Sequence, residues 1–300
     1  MGTQYQSYDV VGKKEDVSEI ITNITPTKAP FTTLTKQETV HNTLFQWQED
    51  KLRDPAANTN AEGFTAAPTA RQPTVMRNNV TQIMQDTFEV SGTNDAVSKY
   101  GRGKESAREA GKAAAALKLD LEYAMIGTAQ AIVAPTDNLT NRQFAGVQAQ
   151  IDVANIIKTG ATATKISENN YLDALQQAYQ VGADPDITLV TPANSRVFAG
   201  FTNAAGRNRV FNDDTTKLVN CVNLYVSPFG QEKIVLSRHL KAGDTLMFEP
   251  AMWKRVALQG RDWFRETLAK TGDKLSMMIV GEFSLKHMHQ KASAMVREMA

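Results

Sequence analysis

Across residues 54–74 the chain carries one large apolar side chain, Phe64, among alanine, asparagine, threonine, proline and glycine. Such a stretch cannot bury enough surface to order itself, and a structureless loop of about twenty residues is foreign to a compact domain. Its flanks differ from it. Leu44-Phe45-Gln46-Trp47-Gln48 alternates with Phe45 and Trp47 on one face, and residues 80–90 set Val80, Met84, Phe88 and Val90 opposite Thr81, Gln85, Thr87 and Glu89. The two segments read as the arms of a hairpin with the apolar-poor stretch at its tip. An isolated two-stranded hairpin is marginal in water, so the tip is expected to dock on a neighbouring molecule.

The segments before and after the hairpin also suit an extended body. Residues 17–23 form a short amphipathic stretch, followed by Ile24-Thr25-Pro26-Thr27-Lys28-Ala29-Pro30-Phe31. Prolines four residues apart block a regular helix and favour extended backbone, which predicts an arm in need of a surface to lie on. Residues 102–131 contain no proline and are dense in helix formers, including Ala113, Leu117, Leu121 and Met125. The pairs Glu105 with Arg108, Glu109 with Lys112 and Lys118 with Glu122 are spaced to meet on a helix surface. One helix over that range would be about 45 Å long.

The rest of the chain predicts an α+β unit with returning strands. A capped amphipathic helix is expected over residues 167–181, with Ser167 at its start and Tyr171, Leu175, Ala178 and Tyr179 on one side. Gly182 to Asp186 ends it, Ile187-Thr188-Leu189-Val190 is a short buried strand, and Pro192 opens a second helix. Residues 224–226 and 233–236 flank Ser227-Pro228-Phe229-Gly230 as another hairpin. Strands are expected at 245–248, 253–258, 263–268 and 275–288, with the turn Lys270-Thr271-Gly272-Asp273 between the last two.

The charge balance narrows the partners. With 33 basic and 32 acidic side chains the net charge is +1, so the positive field that drives non-specific nucleic-acid binding is missing. No run approaches the roughly 18 apolar residues of a bilayer span, and no basic-then-apolar leader opens the chain; no membrane partner is expected. The single cysteine, Cys221, lies in an apolar run and is expected to be a buried thiol.

Motifs for catalysis fail one by one. Gly101-Arg102-Gly103-Lys104-Glu105-Ser106 has two glycines and a lysine, but a P-loop needs glycine where Ser98 stands and a hydroxyl residue where Glu105 stands. His287 and His289 would share one face of a strand, yet Phe283, Leu285 and Lys291 on that face supply no further metal ligand. His41 and His239 are isolated, and no nucleophile elbow is present. The pairs Asp184 with Asp186 and Asp213 with Asp214 fall in turn-like stretches. Arg207 and Arg209 lack interleaved aromatics, so solvated faces or subunit contacts are the better reading. No enzyme, cofactor or metal is expected.

Several stretches together resemble the major capsid (major head) proteins of tailed bacteriophages. They are Ile24-Thr25-Pro26 with Ala29-Pro30-Phe31, Trp47-Gln48 with Asp50 and Leu52, Glu62-Gly63, Lys270-Thr271-Gly272-Asp273, Gly281-Glu282-Phe283-Ser284-Leu285-Lys286 and Lys291-Ala292. The resemblance runs nearly end to end. It implies an α+β fold with an N-terminal arm, an extended loop, a peripheral domain containing a long spine helix, and an axial domain. On this chain that divides residues into 1–38 (arm), 39–90 (hairpin loop), 91–135 (spine helix), 136–260 (axial domain) and 261–300 (strands returning to the peripheral domain).

The implied function is a container. Hexamers and pentamers of the chain would form an icosahedral head around packaged double-stranded DNA, touched non-specifically, in a virion assembled in the host bacterial cytoplasm. A near-neutral wall suits that role, because a strongly cationic one would grip the duplex. Scaffolding, portal and decoration proteins are the implied partners; little chain precedes residue 17, so a separate scaffolding protein or a removed leader is expected. Pro30, Phe31, Phe45, Trp47 and Phe64 are the expected contacts between subunits, since aromatics dominate interface energetics. An encapsulin-like shell around a cargo enzyme is the alternative, and a soluble two-domain enzyme a third reading.

Overall fold

The hairpin returns earlier than the alternation along residues 80–90 predicts. In the computed structural model, which describes residues 28–101, 103–134, 141–160, 164–201 and 224–299, helix α1 (Pro30–Leu34) leads into strand β1 (Lys36–Val40). The hairpin is β2 (Leu44–Glu49) and β3 (Val75–Val80), followed by β4 (Gln82–Ser91), α2 (Gly92–Ala96) and the long helix α3 (Glu105–Ile126). The middle of the chain supplies α4 (Val147–Gln150), β5 (Ile156–Thr159), α5 (Glu168–Val181), β6 (Ile187–Val190), α6 (Pro192–Phe198), β7 (Leu224–Ser227) and β8 (Gly230–Leu236). Then come β9 (Asp244–Phe248), β10 (Trp253–Leu258), β11 (Phe264–Thr267), β12 (Lys274–His287) and β13 (Ser293–Glu298).

Leu44 of β2 pairs with Val80 of β3, and Glu49 with Val75. Residues 82–91 instead pair antiparallel with β12, from Phe283 opposite Gln82 to Lys274 opposite Ser91. The alternation was real, but it says which face of a strand is buried and not which strand lies beside it. Strand β12 is the spine of a five-stranded sheet, flanked on its other side by β10 and β11, with β1 parallel to β10. A six-stranded sheet runs β5-β13-β9-β6-β8-β7.

This topology moves two segments across the boundaries drawn from sequence. Strand β10, inside 136–260, belongs to the five-stranded sheet, while β13, inside 261–300, belongs to the six-stranded one. Helix α3 is also shorter than expected, 22 residues or about 33 Å. It stops at Gly127, where a Cβ would lie 2.6 Å from the His239 carbonyl oxygen and collide with the Tyr123 ring, so the chain can turn there only without a side chain.

Local signals in the middle unit hold. Ser167 caps α5 by accepting from the Asn170 N–H at 3.2 Å, and Gly182 ends it in the left-handed region at φ 92°. Strand β6 is buried throughout, and Pro192 opens α6 behind the Thr191 cap. Glu105–Arg108 and Glu109–Lys112 form ion pairs at 2.8 Å. Glu122 does not join Lys118 on the surface. Its buried carboxylate turns inward and accepts from the backbone N–H groups of Phe31 (2.8 Å) and Thr32 (2.7 Å), capping α1, whose own N-cap Ala29 offers no side-chain acceptor. Burial raises the Glu122 pKa, opposed by those two donors.

The main core joins both sheets to α3 through Phe31, Leu117, Leu121, Met125, Phe248, Trp253, Phe283 and Met295. A second core lies between α5, α6 and the six-stranded sheet, around Tyr171, Leu175, Phe198, Tyr225 and Val296. Residues 17–26, Arg102, Arg207, Arg209, Asp213, Asp214 and Cys221 lie outside the described residues.

Candidate assembly surface

The hairpin leaves the body through a root that is polar, buried and closely satisfied. Asn79 is fully buried; its Nδ2 donates to the Leu285 carbonyl at 2.6 Å and the Ala145 carbonyl at 3.3 Å, while Oδ1 accepts from the Ala145 and Val80 N–H groups at 2.9 Å. One amide thereby ties β3 to β12 and to the chain before α4. Glu49, also buried, accepts from Arg77 Nε at 3.1 Å and from the Gln290 N–H at 3.0 Å. Glu282, 2% exposed, accepts from Thr81 Oγ1 (2.5 Å), Arg142 Nη2 (2.6 Å) and Arg261 Nε (3.0 Å). The Thr81 N–H closes the root on the Thr43 carbonyl at 2.8 Å.

Past the root the support ends. Phe45 and Trp47 stack at 5.8 Å and pack against Val40, Val256 and Leu258 of the subunit's own body. Every residue from Asp50 to Met76 is exposed. Within that span lie Leu52 (88% exposed), Phe64 (59%), Val75 and Met76, a chain of apolar groups that no described residue of their own subunit covers. Soluble monomers scatter exposed apolar groups singly; here they share one projecting element.

The five residues expected at subunit contacts therefore separate. Phe31 is 0% exposed, its ring 5.4 Å from Phe248 and 5.8 Å from Trp253, so it is a core residue of its own subunit with no surface left to offer. Phe45 is 8% exposed and likewise spent within the chain. Pro30 and Trp47 are half-buried, and Phe64 alone is freely presented. Leu52, Val75 and Met76 are exposed on the same element and were not among the expected contacts; the six-residue run Val75 to Val80, matching β2 in length, was the signal that could have pointed to the last two. Asn79 and Glu282 had no such signal, because only the tertiary fold brings their partners to them.

The histidine pair is not a metal site. Strand β12 ends at His287, and His289 lies in the following turn, where its Nδ1 accepts from the Lys291 N–H. The His287 ring is 1% exposed and stacks on Trp253 at 3.9 Å. Trp253 Nε1 donates to Ser293 Oγ at 2.9 Å, which leaves the serine proton for His287 Nε2 at 3.1 Å and places the imidazole proton on Nδ1, facing the Gln150 carbonyl at 3.3 Å. Among the described residues no group of three or more His, Cys, Asp and Glu could hold a metal, and no helix is long and apolar enough to cross a membrane.

Burial pushes the His287 pKa down to about 3 from 6.5. The unfolded chain then binds this proton more readily than the folded one below pH 6.5, so the contribution is complete above that pH and drains away as pH falls toward 3. Carried down through pH 3, the loss is on the order of 5 kcal/mol. Thermal melts between pH 7 and pH 4 are expected to show a falling midpoint, and His287→Phe, which keeps the stack on Trp253, flattens the slope. Equal slopes in the two proteins would refute this assignment.

Comparison with known proteins gives a consistent picture. A model of the SU10 major capsid protein family matches residues 1–300. A relative described as the major capsid protein of Escherichia phage Phieco32 is 29% identical over 342 residues, covering 98% of this chain and 96% of its own. Among solved structures, the capsid of a native GTA particle superposes with a TM-score of 0.68 at 12% identity, covering 98% of this chain and 97% of that one. The SrpI encapsulin of Synechococcus elongatus PCC 7942 does so with a TM-score of 0.61 at 11% identity, over 95% and 92%. At such identities the structural likeness speaks for the fold, which is the α+β capsid fold.

Proposed function

Because the chain belongs to the SU10 major capsid protein family, and is by that membership a structural component of a phage virion, we propose that its copies close into an icosahedral head of hexamers and pentamers around double-stranded DNA. The observation that carries this reading is the hairpin: a root locked by buried hydrogen bonds holds out a tip, residues 50–74, that no described residue of its own subunit covers. Rigid root and bare tip make physical sense together, since a contact that must be repeated around a closed shell needs a fixed direction and a receiving surface on the next copy. Phe64 and Leu52 are the anchors of that contact, with Trp47 and Pro30 at its margins. Fitting one surface into both five- and sixfold settings calls for adjustable joints, and the alanine- and glycine-containing tip supplies one.

Assembly takes place in the host bacterial cytoplasm with scaffolding, portal and decoration proteins, and the packaged duplex is met without sequence preference, in keeping with the net charge of +1. Negative-stain microscopy of the protein expressed with its phage's other head proteins is expected to show closed shells. Particles that carry a cargo enzyme instead of DNA would favour a compartment shell, and a monomer under every condition would end both readings.

A further inference from the structure

The six-stranded unit contains a cavity of about 220 Å³ between the end of α5, the loop to β6 and the start of β8. Two of its walls are aromatic: Tyr179 and Phe229, ring centroids 5.8 Å apart and tilted 42°. The remaining walls carry Asp184, Asp186 and Glu232. The two aspartates are exposed at the rim, while Glu232 is 1% exposed at the floor. Tyr171 OH lies 2.9 Å from Thr188 Oγ1, which donates to Glu232 Oε2 at 3.3 Å; Oε1 has no hydrogen bond and no carboxylate of the three has a basic partner among the described residues. A buried carboxyl at the end of a donor chain, with one oxygen unused and two further acids nearby, has no charge partner among the described residues and would gain one from a bound cation.

We propose that this cavity binds an organic cation, a primary ammonium or guanidinium group carried on an alkyl chain. The carboxylates supply the charge, and the Tyr179 and Phe229 faces receive both the cation and its methylenes. A divalent metal would require a surrounding shell of oxygens, which two aromatic walls deny.

Among the described residues the charged neighbours of Glu232 are few. On α5, Glu168 is engaged by the Tyr225 hydroxyl of β7 at 2.8 Å, and Tyr171 feeds Thr188 of β6. On β8, Lys233 alternates to the opposite, exposed face. Burial, with Asp186 adding to it, raises the Glu232 pKa to about 7 from 4.5. A cation that requires the ionised form therefore binds more tightly as pH rises, by about tenfold between pH 6 and pH 8.

The test is calorimetric titration of agmatine, which bears both cationic groups, into the purified full-length chain at pH 6 and pH 8, with N-butylurea as the neutral control. The wild type is expected to bind agmatine about tenfold more tightly at pH 8 and to ignore butylurea. Glu232→Gln, which copies the shape of the protonated acid, is expected to weaken binding at least tenfold at pH 8 and to abolish its pH dependence. Asp186→Asn, at the exposed rim, gives a smaller loss in a protein whose folding it does not touch. Dispersed subunits that bind while assembled shells do not would identify the cation as a basic side chain of a neighbouring copy; binding in both forms would identify a free amine. Binding in neither form, or binding that survives Glu232→Gln, would overturn the proposal.

Discussion

A chain in which residues 54–74 are replaced by a short turn is expected to melt within about 2 °C of the full-length protein and to form no shells. The first half follows from what the tip touches. Its bonds are exposed and few: the Phe64 N–H to the Ala61 carbonyl at 3.2 Å, Lys51 to Asp54 at 2.8 Å and, at the tip's base, Thr74 Oγ1 to Gln48 Oε1 of β2 at 3.2 Å. Removing such fully solvated groups leaves folding nearly unchanged, and a shorter loop costs slightly less entropy to close. The second half follows from assembly arithmetic. An aromatic anchor at an interface contributes about 2 kcal/mol or more, and each factor of ten in association needs only about 1.4 kcal/mol. Phe64→Ala alone should therefore raise the protein concentration required for assembly by more than about tenfold. Sedimentation velocity on both variants is the measurement, with circular dichroism for the melt. Shells of normal yield from the shortened chain would remove the hairpin from the assembly mechanism.

The hairpin's existence was legible because it depends on composition: twenty-odd residues with one large apolar group cannot be core anywhere. Helix α5 and strand β6 were legible for a related reason, since a serine cap, a left-handed glycine and a run of buried aliphatics act locally. What depended on distant partners was not. The pairing of β4 with β12 and the crossing of β13 into the six-stranded sheet join residues far apart in sequence, and alternation is silent about partners. Phe31 shows the same limit at one residue. Prolines at 26 and 30 were read as extended backbone, yet Pro30 stands at the start of α1, where proline is tolerated as it is at Pro192, and that single turn drives Phe31 into the core. Glu122 was expected on the surface beside Lys118 because helix surfaces are where such side chains usually stand, and nothing in the sequence singled out Asn79. Their burial is intelligible only after the backbone donors that satisfy them are in place.

Glu282→Ala is expected to be among the most destabilising single changes in the root, costing about 3 kcal/mol and lowering the melting midpoint by roughly 6 °C. The carboxylate is one of the few points where three segments meet: Thr81 between the hairpin and β4, Arg142 before α4, and Arg261 between β10 and β11. Removing it leaves two guanidinium groups facing a vacated site and a threonine hydroxyl without an acceptor. Water can reach Arg261, whose side chain is 41% exposed, more readily than Arg142 at 20%, so the cost falls below that of a wholly buried pair. Glu282→Gln should be intermediate, since one acceptor oxygen remains while the new amide N–H₂ is set against an arginine. The loss should also be directional. Hydrogen exchange at the Thr81 amide, bonded to the Thr43 carbonyl, should accelerate more than exchange in α5, because the root opens before the distant core does. A double-mutant cycle with Arg142→Ala isolates the pair: the double variant should be less damaged than the sum of the singles, since each single strands the other's charge. Additive losses, or a Glu282→Ala protein that melts like the wild type, would show that the root is held by Asn79, Glu49 and β-sheet pairing without Glu282 and that this acid does not fix the direction of the hairpin.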